Sequence, residues 1–376
     1  MSSLSSLASA VTLFSSIPFT LASNSTSGYS AARTDVASQW SNPADVLSVL
    51  LIIGGDVVQK ALAQLCGETF VPVPFSFGWV AYSFSVLMAV FGDGKIMPTL
   101  ETDSFVINTA TGYKRRNRSW ILGRILRDHE IYTPYSLKFS VFYVKSRKPE
   151  KDWVWYSGVI VMFVQLLLSI EPLVKSGNWV ILMVTAMGTI LCLCDGALPQ
   201  WRKEKYCGSP KSRKSIALTR GNGSRYVMLL ISTGDSIDLE DNAAGHAEPD
   251  IHTRYVVAIF SFLRFLLLIT VAGLKRDMWC LLIIGAVGMA QNVFAAAAPR
   301  KPEAYGLTLL KTDTIEGGKV MWTLMEMEKK YPGVGLALLK EFFPGPLRTD
   351  EAVYWEKVKA RRSIAPILKP ARSYSV

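Results

Sequence analysis

Six apolar segments divide the basic residues of this chain very unevenly. Thirty-five lysines and arginines fall in one set of alternate connecting stretches and three fall in the other. The segments run 45–66, 74–94, 153–171, 178–198, 254–273 and 278–298. Each is about 20 residues, the length a helix needs to cross a hydrocarbon core of roughly 30 Å. A helix also satisfies its own backbone there, without water. Stretches rich in Lys and Arg stay on the cytosolic side during insertion. The expectation is an α-helical polytopic membrane protein with six transmembrane helices in three hairpins, both termini cytosolic and the far side almost bare. The formal net charge of +11 follows from this topology. No nucleic-acid-binding motif accompanies it, so nucleic acid is not an expected partner.

The same division sets the expected domain order. Residues 1–44 are Ser-rich and read as a disordered cytosolic arm. Residues 4–22 are apolar enough for a seventh helix as the competing reading; no basic n-region marks a signal peptide. Hairpins over 45–94, 153–198 and 254–298 then alternate with cytosolic stretches 95–152, 199–253 and 299–376. Those stretches carry strand signals at 104–109, 137–144 and 306–312, and a hairpin signal at Gly221-Asn222-Gly223-Ser224 between 215–220 and 225–231. No stretch has enough apolar surface to fold alone. The prediction is therefore a small cytosolic α/β domain assembled from discontinuous loops and the C-terminal tail. Short tail helices carry apolar stripes (Val320, Leu324, Met327, Tyr331; Leu336, Leu339, Phe343) that read as packing faces. A groove for a protein partner of the tail is the sharper alternative.

Ionisable residues inside the apolar segments are the best functional lead. Arg264 stands among Phe262, Leu263, Phe265 and Leu266. A central Arg costs about 2.5–3.5 kcal/mol on insertion scales, so it needs a partner. Asp56 falls at similar depth in the first segment, with Lys60 one turn on. The sequence predicts an Asp56–Arg264 pair hydrogen-bonded by Gln165, Gln291 and Asn292, either ordering the bundle or coupling an ion or solute. Asp93 and Asp195 each end an apolar segment with Asp-Gly and then Pro, and they read as duplicated stop signals or acids at a cytosolic mouth. Lys114, Arg115, Arg116 and Arg118 lead into a helix with Arg124 and Arg127 on one face. This basic set suits either a solvated helix face or the anionic cytosolic leaflet of the bilayer. Neither catalytic nor metal-binding spacing occurs among His129, His246 and His252, and no cofactor is implied.

Several strings resemble a family of uncharacterised fungal multi-pass membrane proteins. They are Gly54-Gly55-Asp56-Val57-Val58-Gln59-Lys60-Ala61-Leu62-Ala63-Gln64, Phe75-Ser76-Phe77-Gly78-Trp79-Val80-Ala81-Tyr82-Ser83, Asn117-Arg118-Ser119-Trp120-Ile121-Leu122-Gly123-Arg124, Leu218-Thr219-Arg220-Gly221-Asn222-Gly223 and Asp238-Leu239-Glu240-Asp241. The resemblance covers about residues 42–350. It implies fungal origin and a multi-pass architecture and brings no activity, ligand or catalytic residue. Two functions are therefore expected from the residues: a non-enzymatic membrane scaffold or sensor acting through its cytosolic domain, or an ion-coupled transporter or channel using Asp56 and Arg264.

Overall fold

A computed structural model of the protein describes residues 53–130, 136–246, 250–274 and 276–364. The N-terminal arm, the candidate seventh helix at 4–22 and the first segment before Ile53 lie outside the described residues. Among the described residues, three helices are long and apolar enough to cross a membrane: α4 (Trp153–Ser176), α8 (Ile251–Ala272) and α9 (Met278–Ala297). A fourth span arises if α5 (Val180–Gly196) and α6 (Pro199–Lys205), bent by 41°, count as one. Local signals explain the ends. Asp152 and Asp250 cap α4 and α8 by accepting from the N–H groups of Trp155 and His252, and Gly177 ends α4 in a left-handed conformation at φ 70°. Pro199 starts α6 where its missing N–H costs nothing. Phe163, Leu167, Phe262, Phe265 and Ile283 lie exposed on these helices, a surface suited to lipid rather than water.

The first expected hairpin takes a different form. Its two helices, α1 (Gly55–Leu65) and α2 (Trp79–Phe91), have 11 and 13 residues. At 1.5 Å per residue they reach only about 16 and 20 Å, short of a full crossing. Residues 66–78 between them are non-helical. Pro72 and Pro74 lack the N–H a helix needs and push their neighbours toward extended backbone. Val71 through Trp79 are all buried. The segment bounds predict a short far-end loop over 67–73 and a helix from 74. Instead Cys66 lies at the sheet-bearing end, where its carbonyl accepts from Lys205, and the chain then runs into the bundle as far as Phe77. The three long-helix glycines along its path show how close it passes. A Cβ on Gly158 would stand 2.1 Å from the carbonyl oxygen of Pro72; one on Gly288, 1.9 Å from that of Phe75; one on Gly285, 2.2 Å from the Phe77 ring. Non-helical backbone at such depth is tolerated where protein surrounds it.

The polar stretches build one six-stranded mixed sheet, ordered β2-β1-β4-β5-β3-β6. It comprises β1 (Phe105–Asn108), β2 (Lys114–Arg116), β3 (Leu137–Ser146), β4 (Ser215–Thr219), β5 (Tyr226–Ser232) and β6 (Leu307–Gly317). Neighbours are antiparallel except β3 and β5. The β4–β5 pair is the hairpin expected at Gly221–Ser224, and β2 is a strand that the sequence did not signal. One face packs on α3 (Trp120–His129) and α7 (Leu239–Ala244), through Ile121, Leu122, Ile125, Leu126 and Leu239. The other packs on α10 (Val320–Lys330), α11 (Val334–Phe342) and α12 (Thr349–Ile364), through Leu324, Met327, Leu338, Leu339, Phe342 and Trp355. The tail stripes are thus core. Each helix layer covers a sheet face that would otherwise expose Phe139, Val141, Met228 and Leu230.

Candidate functional site

Arg264 is a deeply buried charge in the bundle. On α8 it faces α2 and the end of α5. Its Nη2 meets the Asp195 carboxylate and donates 3.1 Å to the carbonyl of Leu191, and its Nη1 donates 2.9 Å to Ser83 Oγ. Both charged side chains are at most 5% exposed. The guanidinium carbon lies 4.7 Å from the Trp79 ring centroid and 5.9 Å from that of Tyr82. Trp79 Nε1 in turn donates 3.0 Å to the carbonyl of Pro74. A chain of contacts therefore runs from the extended stretch through Trp79 to Arg264 and Asp195. A small crevice beside Arg264 is walled by Phe75, Trp79, Val80, Val184, Leu268 and Val271. Among the described residues, Arg264 is its sole charged lining residue.

Asp56 is not the partner of Arg264. Its side chain is 73% exposed and pairs with Lys60 at 3.8 Å, one turn along α1. Lys60 also lies 4.0 Å from Glu101. Counting residues along isolated segments placed Asp56 at Arg264's depth. The break after α1 shifts that helix, so the depth comparison fails. Asp93 is exposed beyond α2 and is not brought to Asp195. Asp195, which the sequence offers as a stop signal or a mouth acid, is the counter-charge itself.

The amides hold backbone rather than the ion pair. Gln165 Nε2 donates to the carbonyls of Phe75 at 2.7 Å and Ile284 at 2.8 Å. Asn292 Nδ2 donates to the carbonyl of Pro74 at 3.2 Å and to Ser76 Oγ at 3.0 Å. Both side chains clamp the extended stretch by supplying the donors its carbonyls lack. Gln291 donates 2.8 Å to Ser157 Oγ and ties α9 to α4.

A second polar knot joins the bundle to the sheet domain. Lys205, 1% exposed, donates to the carbonyls of Ala63, Gln64 and Cys66, closing the C-terminus of α1. These are the carbonyls a helix leaves unpaired, and a cation there also favours the helix dipole. Arg300 donates to the Gln64 carbonyl and grips Asp152 with two nitrogens, at 2.7 and 2.8 Å. Tyr305 donates 2.9 Å to Gln64 Oε1. Burial pushes the Asp152 carboxyl up, but Arg300 and the Trp155 N–H outweigh it and hold it below the ordinary carboxylate range. The sequence reading missed Lys205, Arg300 and Asp152; their signal was only a cation or acid next to an apolar segment.

The basic set does not form a free lipid-facing surface. Lys114 pairs with Glu341 at 2.7 Å and Arg116 with Asp103 at 2.6 Å. Arg115 stacks toward Tyr113, and Arg118 is exposed. On α3 the expected two faces exist, but both are covered: one by the sheet, the other by the bundle, where Trp120 joins the core. Arg124 is 2% exposed and bonds Glu101 at 3.1 Å; Arg127 reaches Glu101, Asp128 and the Ala297 carbonyl. The acid that neutralises this face lies about twenty residues upstream, so the helix alone could not reveal it. Cys66 and Cys280 are free and lie at different places, Cys66 beside Lys205 and Cys280 beside the Leu168 carbonyl. No known protein family, curated protein or solved structure matches the chain, so its site is read from its own residues.

Proposed function

We propose that the chain is a multi-pass membrane protein acting as a non-enzymatic scaffold or sensor, with its α/β domain on the cytosolic face. The observation that carries this reading is where the intramembrane polar groups go. Arg264 is matched by Asp195 and Ser83, while Gln165 and Asn292 hold backbone. The crevice at Arg264 is otherwise apolar, a poor path for an ion. The Lys205–Arg300 knot fixes the domain to the bundle, so a change in the helices would be felt in the sheet. The split of basic residues supports a cytosolic domain and a cytosolic C-terminal tail, and the outer helices α10–α12 offer exposed Trp322 and Val353 to a protein partner. The transporter reading keeps one argument: α1, the extended stretch and α2 form a broken element, as substrate sites in transporters do.

Complementation in cells lacking the protein separates the two. The double variant Arg264→Leu/Asp195→Leu keeps the bundle apolar and folded. Under the scaffold reading it restores function, whereas Trp322→Ala with Val353→Asp does not. The reverse pattern, at equal protein levels, sinks the scaffold reading.

A further inference from the structure

The face of α3 turned toward the bundle ends in a small pocket whose lining residues carry two unpartnered donors. It lies between α3 and residues 100–102 and is lined by Leu100, Glu101, Thr102, Trp120, Gly123, Arg124 and Arg127. Two buried nitrogens in its lining residues, Trp120 Nε1 and Arg124 Nη1, find no hydrogen-bond partner among the described residues. Trp120 and Arg124 are each 2% exposed. Leaving such a donor unsatisfied is costly, more so when it is charged. Two at one place, stacked with the guanidinium carbon 4.6 Å from the ring centroid, point to an acceptor that fills the gap.

The surroundings define that acceptor. Arg124, Arg127 and Lys60 converge on a single carboxylate, Glu101, at 3.1, 3.5 and 4.0 Å. Asp128 shares Arg127 at 2.7 Å, and Asp56 shares Lys60. Glu101 is one-third exposed and sits in a bend outside any helix or strand. It holds the cations loosely, by single oxygens. A tetrahedral oxyanion presents more acceptors than a carboxylate and suits arginine geometry. Thr102 and the indole N–H offer neutral donors beside the two arginines.

We infer that this pocket binds a phosphate group, free or carried on a lipid headgroup, with Trp120, Arg124 and Arg127 as its ligands and Glu101 as the internal carboxylate that it displaces. Its place at the end of α9, where Arg127 reaches the Ala297 carbonyl, puts it at the junction of bundle and sheet domain. Phosphate there would release Glu101 from the arginines and leave it to Lys60 on α1. The inference does not depend on the scaffold reading, because a transporter with this pocket would bind phosphate equally well.

The test uses the full chain, purified in neutral detergent and in nanodiscs. Inorganic phosphate is titrated in the first preparation. Phosphatidic acid is compared with phosphatidylcholine in the second. Thermal unfolding and calorimetry are the readouts. Saturable stabilisation by inorganic phosphate identifies the free ion. Stabilisation by phosphatidic acid alone identifies a headgroup. Trp120→Phe keeps the ring and removes the donor, and should weaken either response about tenfold, the worth of one charge-assisted hydrogen bond. Glu101→Gln removes the competing carboxylate and should strengthen it by a similar factor. No response to either probe overturns the inference. So does a response that Trp120→Phe and Glu101→Gln, both folded, leave unchanged.

Discussion

Arg264 on α8 is paired with Asp195 on α5, 69 residues before it, and with Ser83 on α2. This one guanidinium therefore joins three helices that have no other shared charge contact among the described residues. Removing one partner of a buried pair leaves an uncompensated charge, at a cost of about 3–5 kcal/mol. Asp195→Asn and Arg264→Gln should each lower the unfolding temperature in detergent by several degrees. Arg264→Leu with Asp195→Leu should recover much of the loss, giving a strong coupling in a double-mutant cycle. Additive losses would mean that the pair is not the coupling unit.

Asp56→Asn is expected to be silent. The carboxylate is largely exposed and faces only Lys60. The change in stability should stay within the roughly 0.5 kcal/mol of ordinary surface substitutions. A drop like that of Asp195→Asn would restore Asp56 as a buried counter-charge.

The extended stretch makes α9 and α4 intolerant of small additions. Gly288→Ala and Gly158→Ala place a methyl against the backbone of Phe75 and Pro72, and should cost about 1–3 kcal/mol or more by overpacking. Gly318→Ala, which meets nothing within 4 Å, is the control and should leave thermal unfolding unchanged.

Lys205→Met keeps the aliphatic bulk and removes the donor to the Ala63, Gln64 and Cys66 carbonyls. The last turn of α1 then loses its closure. Hydrogen exchange should rise over 60–66 while α8 stays protected. Uniform protection in the variant would show that Arg300 alone holds that helix end.

Asp152 links stability to pH. Its folded carboxyl titrates below the unfolded value of about 3.9. The contribution is full above that value and is lost as pH falls through the lower folded one. Unfolding temperature should therefore fall below about pH 4. Asp152→Asn should flatten that slope, while losing stability at pH 7 because Arg300 is left without its carboxylate. An unchanged acid slope in the variant would assign the effect to other carboxylates such as Asp238, which Lys214 and the Asp241 N–H hold low against burial.

Much of the fold is legible because local patterns carry it. The strands at Phe105–Asn108, Leu137–Ser146, Ser215–Thr219, Tyr226–Ser232 and Leu307–Gly317 follow β-rich runs and an Asn-Gly turn. The faces of α3 follow helical spacing. What was not legible was which face meets what. The α3 arginines look lipid-facing until Glu101 arrives from a separate loop.

By itself, then, the sequence determined the apolar helices after residue 152, their lopsided flanks, five of the six strands and the need of Arg264 for a counter-charge. Those depend on periodicity and on the cost of an unpaired charge, which are properties of one segment at a time. Tertiary structure alone decided that Asp195 meets that need, that Gln165 and Asn292 serve backbone, and that residues 66–78 thread the bundle unwound. Partner choice depends on which helices touch and at what height. A break of thirteen residues resets that height without leaving any trace in the periodicity around it.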